Sequence, residues 1–277
     1  MNYRHAFHAG NAADCLKHAI LVWVLRALAR KSKPFFVLDT HAGTGRTDLS
    51  GAAAQRTGEA AGGILRLLDD PPAALADYVG LVRALGLYPG SPALIAALLR
   101  PGDRACACEL HPEDHAELRR NFGRNPQMAV HLRDGYAAIG AFLPPAERRG
   151  LTLIDPPYEA VDEYARVLAG LRTARDRFPS GTVMAWYPIK HRAPVRALHD
   201  ALRPGSSYIH SLRNVVAVEF WLREPLDAAR LNGSGLVVLN PPHRFEDEIP
   251  PILDALRQRL GQGEPGEATA LLRLADE

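Results

Sequence analysis

The sequence predicts an α/β protein, an open parallel sheet wrapped by helices. Three observations predict it. Short apolar or β-branched runs alternate with helical stretches along the chain. The first four runs each end on an acid, at Asp39, Glu109, Asp134 and Asp155. A glycine-rich turn, DTHAGTGR, follows the first run directly, and open α/β sheets bind ligands beyond the carboxyl ends of their strands.

The elements follow in order. A first helix is expected from Ala12 to Arg30. The first strand is FFVLD, ending at Asp39, and the second is RACACEL, ending at Glu109 and Leu110. The third is MAVHLRD, ending at Asp134, and the fourth is LTLID, ending at Asp155. Later strands are TVMAWYP, VVAVEFWL and GLVVLN. About 65 residues separate the first two strands, far more than one connection and its helix need. The excess, residues 50–102, reads as a small helical insertion within a single domain spanning 1–277. Its last helix opens with Ser91-Pro92, read as a cap residue followed by proline in the first helical position. The composition after Gly261 is expected to give a disordered tail.

The bulk properties narrow the class. The chain has 277 residues, of which 47% are hydrophobic, enough for a real core. A net charge of +2 does not by itself argue for a nucleic-acid partner, although arginine greatly outnumbers lysine. Cys15, Cys106 and Cys108 are too few and too scattered for a disulfide framework, and no His set completes a metal site. Cys106 and Cys108 are expected on one face of a strand. The N-terminus lacks an apolar signal core, and AILVWVLRALA is too short to span a bilayer. A cytoplasmic monomer with no obligate protein partner is expected.

The motifs carry the chemistry. Gly43 and Gly45 let the backbone approach a ligand closely. This is not the dinucleotide fingerprint, which needs glycine where Asp48 stands. Asp39 stands where methyltransferases hold the amino-acid portion of their cofactor. Glu109 can accept from both hydroxyls of a ribose, and Asp134 from an adenine amine, with Gly135 allowing close approach. These positions describe a pocket for adenosine with an amino-acid tail.

LIDPPY, from Leu153 to Tyr158, is the decisive motif. The exocyclic amine of adenine is a poor nucleophile because its lone pair is delocalised into the ring. Two acceptors on the amine hydrogens, the Asp155 carboxylate and the Pro156 carbonyl, would aim that lone pair. Tyr158 offers a face for stacking an unpaired base. Taken alone, a DPPY could be a mere proline-rich turn; its place after three acid-ended strands outweighs that reading. Asn240-Pro241-Pro242-His243 looks similar but follows the last expected strand, away from the first, so it is assigned to structure, with His243 as a candidate RNA contact. The N-terminal YRHAFHAGNAADCLKH gathers Tyr3, His5, Lys17 and His18 into a candidate lid. Lys17 and His18 are expected on its cofactor side, and Tyr3 and His5 on its substrate side.

These stretches, with RTGEAAGGI, LYPGSP, ELHP, AWYPI and GLVVLNPP, resemble the bacterial RlmJ family over nearly the whole chain. The resemblance implies a Rossmann-like class I S-adenosylmethionine-dependent methyltransferase with a small inserted helical subdomain and an N-terminal tail. It implies methyl transfer to an adenine N6 of 23S ribosomal RNA. It also implies S-adenosyl-L-methionine contacts from His18, His41, Ser91, Glu109, Asp134, Gly135 and Asp155. Asp155 would receive the amine hydrogen and Tyr3 would meet the RNA, with His5 and Lys17 matching the same pattern. Alternatives are a DNA adenine methyltransferase, for which little chain is left to read a groove, a non-catalytic RNA-binding protein, which intact Asp155 and Tyr158 oppose, and a protein glutamine methyltransferase.

Overall fold

In the computed structural model, which describes residues 9–51, 58–205 and 212–276, the apolar runs pair into an eight-stranded sheet. Its strands are β1 (Phe36–Asp39), β4 (Arg104–Glu109), β5 (Met128–Leu132), β6 (Gly150–Ile154), β7 (Thr182–Ile189), β8 (Val215–Trp221), β9 (Gly233–Leu239) and β10 (Ala268–Ala275). A separate antiparallel pair joins β2 (Arg46–Thr47) to β3 (Tyr88–Pro89). The order across the large sheet is β10-β8-β9-β7-β6-β1-β4-β5. Strands β5, β4, β1, β6 and β7 run parallel, and β9 lies antiparallel between β7 and β8. The carboxyl ends of the parallel strands and of β8 therefore share one rim. Covered on both faces, β1 and β6 are buried throughout, which explains their continuous apolar runs.

Helices cover both faces. α1 (Ala12–Ala29) begins at Asn11, whose side chain caps it by accepting from the Asp14 amide. It is buried nearly all round, sharing one core with α4 (Ser91–Leu98), α5 (Pro112–Phe122) and α9 (Phe245–Leu260). The opposite core holds α6 (Gly135–Phe142), α7 (Glu163–Arg177) and α8 (Arg192–Leu202). Strand alternation divides the cores: Val37 and Ala105 face the first, Leu38, Cys106 and Cys108 the second. The two cysteine sulfurs lie 3.9 Å apart on one face, as expected. Between β2 and β4 come α2 (Ile64–Asp69), α3 (Ala76–Leu85) and α4, with short 3-10 turns. The β2–β3 pair returns this segment to the glycine turn, where the Gly90 amide donates to the Gly45 carbonyl at 3.0 Å.

Several expectations are corrected. The stretch after Gly261 is not a disordered tail: residues 268–275 form β10, pairing with the otherwise open edge of β8. The third strand stops at Leu132, and Asp134 caps α6 by accepting from the Ala137 amide at 2.8 Å. Ser91 does not cap α4. Gly90 holds that position, Ser91 is the first helical residue, and its hydroxyl donates elsewhere. GLVVLN is not the last strand, because β10 follows. Since β9 is antiparallel to β7, Asn240 emerges at the edge of the sheet opposite the acid-bearing rim. Among the described residues, no helix is long and apolar enough to cross a membrane.

Candidate active site

A cavity of about 1050 Å³ runs along the carboxyl rim from β4 past β6 to the loop after β8. Twelve candidate site residues line it: Lys17, His18, His41, Gly43, Gly45, Ser91, Glu109, Asp134, Gly135, Asp155, Pro156 and Tyr158; Asp39 lies behind the wall, joined to it through Ser91, and His243 does not line it. Tyr3 and His5 lie outside the described residues.

The glycine turn shapes one half. At Gly45 φ is +78°, and a Cβ there would sit 2.4 Å from the Phe122 ring, so only glycine lets the turn pack on α5. The Gly43 amide donates to Glu109 Oε2 at 2.9 Å, and the His111 amide donates to Oε1 at 2.7 Å. These bonds fix the carboxylate while each oxygen keeps lone-pair capacity for a ligand hydroxyl. Gly135 is forced by close approach, since a Cβ would lie 2.3 Å from the Thr40 carbonyl and 2.8 Å from His41 Cε1.

Asp39 is only 1% exposed. Its Oδ2 accepts from Ser91 Oγ at 2.7 Å, while Oδ1 has no well-formed hydrogen bond among the described residues, the His41 amide acting on the carboxylate only weakly. Burial pushes its carboxyl up to about 7, against the opposing bond from Ser91, with the Asp155 charge adding to the rise. A buried carboxylate oxygen without a well-formed hydrogen bond fits the ammonium of an amino-acid tail. His41 is held at the opposite extreme, down to about 4, first by burial. Thr40 Oγ1 donates to the Leu153 carbonyl at 2.9 Å, so at 2.7 Å from His41 Nδ1 it accepts. The neutral ring therefore carries its proton on Nδ1 and offers Nε2 as an acceptor. His18 sits buried on a chain of hydroxyls, 3.0 Å from Tyr88, which is 3.1 Å from Tyr78.

The middle of the cavity belongs to Asp155. Lys17 Nζ donates to its Oδ2 at 2.6 Å and lies 3.0 Å from Asp14 Oδ1; Asp14 Oδ2 in turn accepts from the Gly10 amide at 3.0 Å. Lys17, expected among the RNA contacts, is 5% exposed, with its ammonium set between two carboxylates. A buried cation needs such partners, and the helix carries it to the cavity wall, not to the outer surface. The Pro156 carbonyl accepts no hydrogen bond from the described residues. Tyr158 takes a left-handed backbone, φ 52°, which aims its hydroxyl at the Trp186 carbonyl, 2.9 Å away. Its ring meets Tyr164 and Trp186 edge-on at 4.9 and 5.6 Å between centroids.

Four residues of the site escaped sequence reasoning. Asp14 anchors Lys17. Glu163 is buried, accepts from the Tyr136 hydroxyl at 2.8 Å and lies 3.5 Å from Arg166, which also reaches Asp134 Oδ2 at 3.3 Å and stacks over Tyr136. Trp186 lines the wall beside Asp155. Helical spacing on the α1 face could have given Asp14, three residues before Lys17. The place of AWYPI on the strand after the LIDPPY strand could have given Trp186.

Comparison with known proteins now bears on this geometry. The family model described as "Ribosomal RNA large subunit methyltransferase D, RlmJ" matches residues 32–272. The Ribosomal RNA large subunit methyltransferase J of Escherichia coli K12 is 39% identical over 97% of both chains. That of Haemophilus influenzae Rd is 40% identical over 94% of both. A crystal structure of a Legionella pneumophila protein superposes with a TM-score of 0.84 at 33% identity, covering 96% of this chain and 97% of that one.

Proposed function

Because the chain belongs to the RlmJ family of ribosomal RNA large subunit methyltransferases, we propose that it methylates the N6 amine of an adenine in 23S ribosomal RNA, using S-adenosylmethionine. The observation that carries this reading is that Asp155 to Tyr158 line the same cavity as the glycine turn, Glu109 and Asp134. Residues 1–277 work as one methyltransferase domain, with 50–102 as a helical insertion closing the cofactor end. The work is done in the cytoplasm.

On this reading Asp39 holds the ammonium of the cofactor, Glu109 its ribose hydroxyls and Asp134 its adenine amine, with Gly135 permitting the approach. His18, His41 and Ser91 complete that half. S-adenosylmethionine supplies, when bound, an electrophilic methyl on a sulfonium that departs as a neutral thioether. The chain does the rest. Asp155 accepts one amine hydrogen and the Pro156 carbonyl the other, turning the nitrogen lone pair out of conjugation. Lys17 keeps the Asp155 carboxylate oriented from behind, through a bond shorter than a neutral one. Once the nitrogen has gained a methyl, it must lose a proton, and the Asp155 carboxylate is the acceptor already in contact with it. With only 14% of the Asp155 side chain exposed, little water competes for these bonds. Tyr3 and His5 meet the RNA from the N-terminal tail.

Incubation with methyl-labelled cofactor and separate pools of 23S ribosomal RNA, DNA and protein tests the reading. Label in the RNA alone is expected. Label in DNA or protein, or in none, overturns it.

A further inference from the structure

Trp186 is an aromatic side chain in the cavity wall whose ring nitrogen finds no partner among the described residues. Its Nε1 is buried, and among the described residues no acceptor lies within hydrogen-bond reach. An indole N–H removed from water without a partner is costly, and native structures rarely leave one so. The position of this one points to a ligand. In the β6–β7 register Ile154 pairs with Ala185, so the next pair places Trp186 opposite Asp155. Both side chains then project to the face covered by α1, the face that carries Lys17. The Tyr158 hydroxyl, bonded to the Trp186 carbonyl, ties the DPPY segment to this point of β7.

Asp155 is an acceptor and Trp186 Nε1 is a donor. Adenine presents the complementary pair on both flanks of its amine: N6 donates, and N1 and N7 accept. Guanine offers an acceptor, O6, where Asp155 needs a donor. Uracil does the same with O4. Resting on the function proposed above, we propose that Trp186 is a specificity-determining residue, its indole N–H donating to a ring nitrogen beside the amine of the target adenine. Asp155 alone recognises any amine; the pair recognises an amine with a ring acceptor beside it, which adenine and cytosine (N4 beside N3) present and the keto edges of guanine and uracil do not, so the size of the base separates adenine from cytosine. The bond also fixes the rotation of the base in its plane, and with it the direction of the lone pair.

The test combines one variant with modified RNA. Wild type and Trp186→Phe, which keeps an aromatic ring in the wall and removes the donor, are assayed on a 23S RNA fragment carrying adenosine, 7-deazaadenosine or 1-deazaadenosine at the target. One hydrogen bond corresponds to about a tenfold change in kcat/KM. Wild type is expected to lose about that factor on one of the two analogues, which identifies the nitrogen. Trp186→Phe is expected to lose the same factor on adenosine and nothing further on that analogue, with cofactor affinity unchanged and the protein still folded at the assay temperature. Wild type indifferent to both analogues overturns the inference, as does a variant that loses equally on all three RNAs or on none. Wild type that leaves the adenosine RNA unmethylated overturns the function itself, and the inference with it.

Discussion

Cofactor affinity should depend on pH through Asp39. Its carboxyl is raised from 3.8 to about 7, chiefly by burial. That displacement corresponds to about 4 kcal/mol against ionising the group in the ligand-free protein. Between about pH 4 and pH 7 the native state therefore holds a proton that the unfolded chain has lost, so Asp39 lowers stability as pH rises through this window. Binding the cofactor ammonium requires the carboxylate, so below about pH 7 binding must expel that proton. Affinity is expected to weaken about tenfold per pH unit below about 7, and to fall again above about 8 as the free amine of the ligand loses its charge. Calorimetry in buffers of different ionisation enthalpy, from pH 5.5 to 8.5, measures both affinity and protons released. Asp39→Asn should bind weakly at every pH and release no proton on the acid side. Wild-type affinity that is flat from about pH 5.5 to 7.5 would refute the reasoning, because the ammonium would then have another partner.

Other consequences are simpler to measure. Lys17→Met leaves Asp14 and Asp155 facing each other without a cation; breaking such a buried pair costs about 3–5 kcal/mol, read as a lowered denaturation midpoint together with lost turnover. Gly135→Ala forces a methyl against the Thr40 carbonyl and should destabilise by about 1–3 kcal/mol in chemical denaturation; an unchanged midpoint would mean the turn relaxes freely. Glu109→Ala should weaken cofactor binding by about 1.5–3 kcal/mol in titration calorimetry, and unchanged affinity would remove Glu109 from the ribose. Deleting the residues before Phe7 should reduce RNA methylation while cofactor affinity and melting stay near wild type; unfolding on deletion would make that segment structural.

Much of this architecture is legible from the chain, for physical reasons. Buried parallel strands must be continuously apolar, so FFVLD, RACACEL and LTLID announce themselves. The acids at their ends stand out because a carboxylate after an apolar run needs a partner. β10 is hidden because ATALLRLA is half exposed and built of alanine and leucine, which favour helix over strand, and its pairing with β8 is a long-range contact that no local pattern encodes. Ser91 was misread because Ser-Pro is a strong cap signal, whereas a buried carboxyl on β1 claims its hydroxyl. Lys17 is placed with the RNA contacts by the resemblance and on the cofactor side by its local pattern; only the fold, which brings α1 to the segment after β6, shows two carboxylates around it. Trp186 lies in a strand run, TVMAWYP, and nothing local shows that its nitrogen has no partner among the described residues.

The central claim is that Asp155 activates an adenine amine. Nucleoside analysis of unmodified 23S ribosomal RNA, after reaction with wild type or Asp155→Asn at saturating cofactor, tests it most directly. Wild type should yield N6-methyladenosine at a single site. The variant should stay folded, melting below wild type because Lys17 loses one of its carboxylate partners, and at saturating cofactor lose about two to three orders of magnitude in rate, as when one preorganised hydrogen-bonding group is removed from an active site. Near-normal formation of N6-methyladenosine by Asp155→Asn, or a methylated nucleoside of another kind from wild type, would contradict the account.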